Sequence, residues 1–149
     1  MAVVNQKGGV GKTTTAINLA TGLALAERPT LLVDLDPQGN ATTGLGVGKP
    51  GLYPTVYHVL LANQPADKAV LNTALPALYL LPSDIDLVGA EIELVGLERR
   101  EHRLRDALAS LTWRWQYTLI DCPPSLGLLT INALAAADRV LVPLQCEFY

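Results

Sequence analysis

The run Gln6-Lys7-Gly8-Gly9-Val10-Gly11-Lys12-Thr13-Thr14 concentrates residue types that bind phosphate. Three glycines in four positions let the backbone turn tightly with its N–H groups directed inward, where they converge with the start of a following helix. Lys12 supplies a point charge for β- and γ-phosphates, and the Thr13 hydroxyl can ligate Mg²⁺. The run departs from G-x-x-x-x-G-K-[ST] at one place, where Gln6 stands at the first glycine, and a second lysine, Lys7, sits near the loop's start.

Carboxylates follow at the ends of apolar runs. Asp34 and Asp36 close the run that starts at Thr30, and ligands of open α/β sheets gather at the C-terminal ends of strands. Asp121 closes the run from Tyr117 and precedes the stiff turn Cys122-Pro123-Pro124-Ser125, the form of a Walker B. Its acid would hold the hydration shell of Mg²⁺, while the Pro123-Pro124 turn would place backbone groups near a γ-phosphate.

These groups need strands to carry them and helices to brace them. A brief strand over 1–5 leads into the loop, and apolar positions Ala16, Ile17, Leu19, Ala20, Leu23 and Ala24 predict a helix from Lys12 to about Ala26. Pro29 ends it, and 30–36 reads as a buried parallel strand. Turn formers over 37–46 predict a mobile loop suited to a switch, followed by a short helix near 55–63 and a third strand over 78–82. Ser83 or Asp84 should cap a helix whose apolar positions are Ile85, Leu87, Val88, Ile92 and Val95. Another helix, over 99–111, should bury Leu104, Leu108 and Leu111; Trp113 and Trp115 read as packing anchors. A strand over 117–121, a helix over 126–137 and a fifth strand over 139–144 complete the series.

Bulk properties agree with an α/β protein of one domain. Half of the 149 residues are hydrophobic and only 17% are charged, the reverse of a disordered chain. No apolar run is long enough to span a bilayer and no leader pattern opens the chain, which points to the cytoplasm. Cys122 and Cys146 form no C-x-x-C pair and are expected to be reduced and buried. A net charge of −3 gives no global pull toward nucleic acid, and the basic stretch 99–105 reads as a solvated helix face with i,i+4 pairs.

With the glycine loop, Asp34-Leu35-Asp36-Pro37-Gln38-Gly39-Asn40 and Asp121-Cys122-Pro123-Pro124-Ser125 in that order, the sequence resembles the ParA/MinD-type deviant Walker A ATPases. It is most similar to the Soj-like ParA chromosome and plasmid partition ATPases, from Asn5 to Tyr149 and including 82–96 and Val142-Pro143-Leu144-Gln145. The resemblance implies a P-loop NTPase fold, α/β with a mostly parallel sheet and helices on both faces. Residues 1–149 would be the N-terminal portion of a single ATPase domain that family members extend past Tyr149. That extension normally completes the sheet, contacts adenine and carries the basic residues that bind nonspecific DNA.

The implied site is ATP with Mg²⁺. Lys12 would bind the β- and γ-phosphates, Thr13 the metal, and Thr14 with the backbone of Gly8, Gly9, Val10 and Gly11 the remaining phosphates, beside Pro123. Asp36 corresponds to the acid that orients the attacking water, Asp34 to a supporting acid near the metal shell, and Asp121 to the Walker B acid, so that Thr13, Asp34, Asp36 and Asp121 are the residues expected around Mg²⁺. Lys7 corresponds to the signature lysine, which reaches the partner's phosphates across an ATP-dependent homodimer much as an arginine finger does. Slow, partner-stimulated hydrolysis, a ParB-like centromere-binding partner, nonspecific DNA and a nucleoid-associated cytoplasmic location are implied likewise, without a membrane. Competing readings are a MinD-like or other cargo-positioning ATPase, a metabolic P-loop enzyme and a degenerate fragment without activity.

Overall fold

The computed structural model describes residues 1–111 and 115–146. Short apolar runs form strands β1 (Ala2–Val3), β2 (Thr30–Asp34), β3 (Leu71–Asn72), β4 (Leu78–Leu81), β5 (Tyr117–Asp121) and β6 (Val140–Leu141). They join one sheet in the order β3-β4-β2-β5-β1-β6, parallel throughout except for the β3–β4 pair. Helices α1 (Lys12–Leu25), α2 (Asn40–Gly44), α3 (Val56–Leu61), α4 (Ala66–Ala69), α5 (Leu87–Glu93), α6 (Arg103–Ala109) and α7 (Leu128–Ala136) cover both faces.

Strand alternation decides which layer each side chain joins. Val3, Leu32, Leu80 and Leu119 face one way and pack with Ala16, Ala20 and Ala24 of α1 and Ala41 of α2. Leu31, Val33, Leu81 and Ile120 face the other way, into a larger core with Val59 and Leu60 of α3, Leu87 and Ala90 of α5, Leu104 of α6 and Leu129 of α7. Buried on both sides, β2 has no polar interior residue until Asp34 at its C-terminal end. The doubly covered, mostly parallel sheet is the architecture that the family resemblance implied.

Several local expectations need correction. Positions 37–46 are not simply a loop, because α2 forms within them, and the antiparallel β3 and the short α4 were not anticipated. The last strand is therefore the sixth among the described residues and keeps ladder pairing only at Val140–Leu141. The helix expected over 99–111 starts at Arg103, and only Leu104 is fully buried there, with Leu108 and Leu111 partly covered. Its arginines pair mainly off the i,i+4 spacing: Arg99 with Asp106, and Arg100 with the adjacent Glu101. Trp115 packs against Tyr79 with ring centroids 5.1 Å apart, as an anchor should. Trp113 and Tyr149 lie outside the described residues. Cys122 is buried, but Cys146 is exposed.

The largest correction concerns α5. Neither Ser83 nor Asp84 caps it; Asp86 occupies the N-cap position without a side-chain hydrogen bond. Its inward positions are Leu87, Ala90 and, in the following 3₁₀ turn, Leu94, while Ile85, Val88, Ile92 and Val95 are 63%, 55%, 80% and 55% exposed. The two stripes share helical spacing, so periodicity alone could not choose between them. Accordingly, Leu94→Ala is expected to cost about 2–5 kcal/mol in urea melts, and Ile92→Ser to stay within about 0.5 kcal/mol of wild type. Equal losses for the two would show that the helix is turned the other way.

Candidate functional site

The loop after β1 is built by backbone geometry. Asn5 fixes its entrance, accepting the Lys7 N–H on Oδ1 at 2.9 Å and donating from Nδ2 to the Pro143 carbonyl at 2.9 Å. Gly9 and Gly11 hold φ of 75° and 86°, a left-handed backbone that side chains disfavour, and Gly11 is the N-cap of α1. Thr13 and Thr14 occupy the first turn of that helix, so its unpaired N–H groups open toward the loop. Lys12 is buried, and its Nζ donates to the Lys7 carbonyl at 3.1 Å across the loop. The Lys7 residue itself is exposed at the rim.

Carboxylates face this loop from two adjacent strands. Asp34 and Asp121 are register partners at the ends of β2 and β5, and both are fully buried. Asp34 has both oxygens engaged: Oδ2 accepts from the N–H and hydroxyl of Thr42, each at 2.7 Å, and Oδ1 accepts the Asp36 N–H at 3.2 Å. Burial pushes its carboxyl up to about 6, against those donors. The Thr42 hydroxyl in turn accepts the Ser83 N–H at 3.0 Å, so this acid holds α2 and the end of β4 in place. Asp36 is buried by its neighbours, and its Oδ1 accepts the Gln38 N–H at 2.9 Å.

Asp121 differs in having, among the described residues, no hydrogen-bond partner on either oxygen. Burial is the main cause that pushes its carboxyl up to about 7, with the charges of Asp34 and Asp36 adding to the shift and the Thr13 hydroxyl and Lys12 opposing it. The Thr13 hydroxyl is thus near enough to favour the ion, yet it does not meet the geometry of a hydrogen bond. Two orphaned buried oxygens beside a threonine hydroxyl fit a hydrated divalent cation. Among the described residues, no group of three or more His, Cys, Asp or Glu converges on one point. Few direct protein ligands suit Mg²⁺, which keeps much of its water or takes phosphate oxygens. The neighbouring Cys122 thiol is pushed up to about 12, chiefly by burial, and is no nucleophile.

The loop and Asp36 border a cleft of about 360 Å³ lined by Gly8, Gly9, Gly11, Lys12, Thr13, Thr14, Asp36, Gln38, Asn40 and Pro124. Asp34, Asp121 and Val10 are not on its wall. Pro123 is buried, and Pro124 presents the wall instead. Gln38 and Asn40 were missed, although their position just after Asp36 in a turn-rich stretch was a usable signal. Gln145, whose Nε2 donates to the Gly9 carbonyl at 3.3 Å, comes from the far end of the chain and left no local signal.

Comparison with known proteins agrees with this geometry. The AAA domain family matches residues 1–149. The chromosome partitioning protein ParA of Myxococcus xanthus is 59% identical over 149 residues, covering 100% of this chain and 53% of the relative. The sporulation initiation inhibitor protein Soj of Bacillus subtilis is 51% identical, covering 100% of this chain and 59% of its own length. A cobyrinic acid a,c-diamide synthase of Mycobacterium smegmatis, solved with a bound ATP analog and magnesium, superposes with a TM-score of 0.94 at 48% identity. That alignment covers 99% of this chain and 58% of the solved one. The chain thus spans between half and three-fifths of the length of these relatives. A family match along the whole chain makes it a member of the AAA domain family, and partition proteins named ParA and Soj share more than half of its residues.

Proposed function

We propose that this chain is the nucleotide-binding N-terminal portion of a partition ATPase that hydrolyses ATP with Mg²⁺, residues 1–149 belonging to a single P-loop domain. The observation that carries the reading is the juxtaposition of a left-handed glycine loop, buried Lys12 and Asp36 around one cleft, with the orphaned Asp121 carboxylate buried behind it near Thr13 and Lys12. Names and bound ligands of the relatives support it.

Each residue then has a physical task. The loop amides from Gly8 to Thr14 and the Lys12 ammonium bind the phosphates. Thr13 and Asp121 hold the cation, which neutralises charge on the phosphate oxygens, while Asp34 serves by positioning α2 and Asp36. Asp36, oriented by the Gln38 amide, aligns the attacking water and takes up its proton as the bond from water oxygen to γ-phosphorus forms and the bond to the leaving ADP oxygen breaks. Pro123 shapes the turn that puts Pro124 on the cleft wall. Hydrolysis in the cleft depends on arrangement more than on covalent chemistry.

Lys7, at the exposed rim, reaches the phosphates of a second copy in an ATP-dependent homodimer, which makes turnover slow and dependent on assembly. The assembled form binds nonspecific DNA in the cytoplasm at the nucleoid and is stimulated by a ParB-like partner. No helix among the described residues is long and apolar enough to cross a membrane.

ATP hydrolysis by the full-length protein, with and without DNA and the centromere-binding partner, tests this reading. Stimulation is expected; normal nucleotide binding without stimulation by either addition would remove the partition role. ATP-dependent capture on lipid vesicles in place of DNA would move the protein to the membrane-cycling relatives. Lys7→Ala should leave ATP binding within about threefold of wild type and abolish the ATP dimer in light scattering. Wild-type hydrolysis by a monomeric Lys7→Ala protein would sink the composite site.

A further inference from the structure

We propose that Glu91 is a positioning residue for ATP hydrolysis, holding the turn that follows Asp121 from a helix that is also tied to the Asp36 side of the cleft. This rests on the function proposed above. The N-terminus of α7 has no side-chain cap of its own; Gly127 precedes it in extended backbone. Its first amides are instead taken by Glu91 of α5, which accepts the Leu128 N–H on Oε2 at 2.6 Å and the Leu129 N–H on Oε1 at 3.3 Å. A carboxylate on the positive end of a helix, accepting two N–H groups, forms a charge-assisted pair.

The turn is shaped to admit that side chain. A Cβ at position 127 would lie 2.2 Å and 2.4 Å from the Glu91 oxygens, so the close approach needs glycine. Between Asp121 and α7 the backbone is otherwise pinned by the Cys122 N–H donating to Val3 at 3.3 Å and the Thr130 hydroxyl donating to the Ser125 carbonyl at 2.7 Å. Pro124, on the cleft wall, sits between those two pins. Removing the Glu91 hold leaves the far end of the turn free to shift against the phosphates.

The same segment grips the opposite side of the site. Just ahead of α5, the Ser83 N–H donates to the Thr42 hydroxyl that serves Asp34, and Asp84 accepts from the Thr55 hydroxyl at 3.4 Å. Residues 83–91 therefore form a strut, with one end on the network that positions Asp36 and the other on the turn that presents Pro124. A displacement of either loop is transmitted to the other through α5.

The test uses the full-length protein, steady-state ATP hydrolysis and amide hydrogen exchange at Leu128 and Leu129. Glu91→Ala is expected to lower kcat about tenfold while KM for ATP stays within about twofold, because the turn is misplaced and the glycine loop is not. Exchange at both amides should rise about tenfold. Glu91→Gln keeps an acceptor oxygen and should recover most of kcat. Gly127→Ala leaves Glu91 present but excludes it sterically, and should reproduce the Glu91→Ala profile. A cap that serves only stability would lower the melting temperature and leave kcat per folded molecule unchanged, which overturns the proposal; so does unchanged exchange in Glu91→Ala. Absence of hydrolysis in the wild type would instead overturn the proposed function, with the exchange measurement still deciding whether Glu91 holds the turn.

Discussion

Lys12→Ala should abolish measurable ATP binding, an expected loss of at least about 100-fold in affinity by titration calorimetry. The ammonium is buried in the loop and is held by a carbonyl of the loop itself, 3.1 Å from Nζ. Phosphate oxygens would replace that neutral acceptor with charged ones, and such pairs are the strong class of hydrogen bond. Alanine removes the point charge and leaves the backbone donors, which alone bind phosphate weakly. Arginine is no conservative replacement, since its planar fork does not fit a space shaped around one ammonium. An affinity within about tenfold of wild type would show that the phosphates lie elsewhere.

Asp121→Asn should act in opposite directions on the two states of the protein. In the native metal-free chain this carboxyl titrates at about 7 because it is buried without partners, while its ordinary value is 3.8. Between those values the native state binds more protons than the unfolded state, so stability falls as pH rises from about 4 to about 7 and then levels. Asp34, raised to about 6, contributes in the same direction. At pH 8 asparagine removes a buried, unpartnered charge, and the metal-free protein should gain on the order of 2 kcal/mol, or roughly 5 °C in melting temperature. The same change removes the acid proposed to hold the cation and should lower Mg²⁺-dependent hydrolysis at least about 100-fold. Thermal melts in chelator from pH 4.5 to 8 provide the check. A wild-type melting temperature that does not fall over this interval would contradict an isolated buried carboxyl.

Legibility in the sequence followed how local each feature is. The glycine loop, α1, β2, β5 and the acids at the strand ends could be read directly, because each is defined by neighbours along the chain. Of the three acids, Asp36 lines the cleft beside the glycine loop, while Asp34 and Asp121 lie behind its wall. What escaped was fixed at a distance. The α2 helix sits within a turn-rich stretch, and its Thr42 is clamped by Asp34 at the end of β2 and by Ser83, two residues past the end of β4 and far away along the chain. The register of α5 was hidden because both its stripes are apolar, and contact with α3 and α7 selects Leu87 and Ala90. Glu91 reads as an ordinary surface acid until Gly127 and the start of α7 are brought beside it. Pro123 and Pro124 are adjacent and chemically identical, so which of them reaches the cleft depends on the path of the turn.

The strand order also governs when the site can come into being. β1 carries the phosphate loop, yet its partners are β5 and β6: Ala2 aligns with Ile120 on one side and Val140 on the other. β2 likewise aligns Asp34 with Asp121. A ribosome therefore releases the first strand long before anything exists for it to pair with, and the closure of so long a chain segment is entropically costly and slow. During that interval Ala2 and Val3 remain without their sheet partners, apolar surfaces that invite chaperone binding or self-association. The strand that carries the glycine loop is made well before its sheet partners and reaches its place late, and the cleft beside it is complete only once β5 and the turn after it have been made.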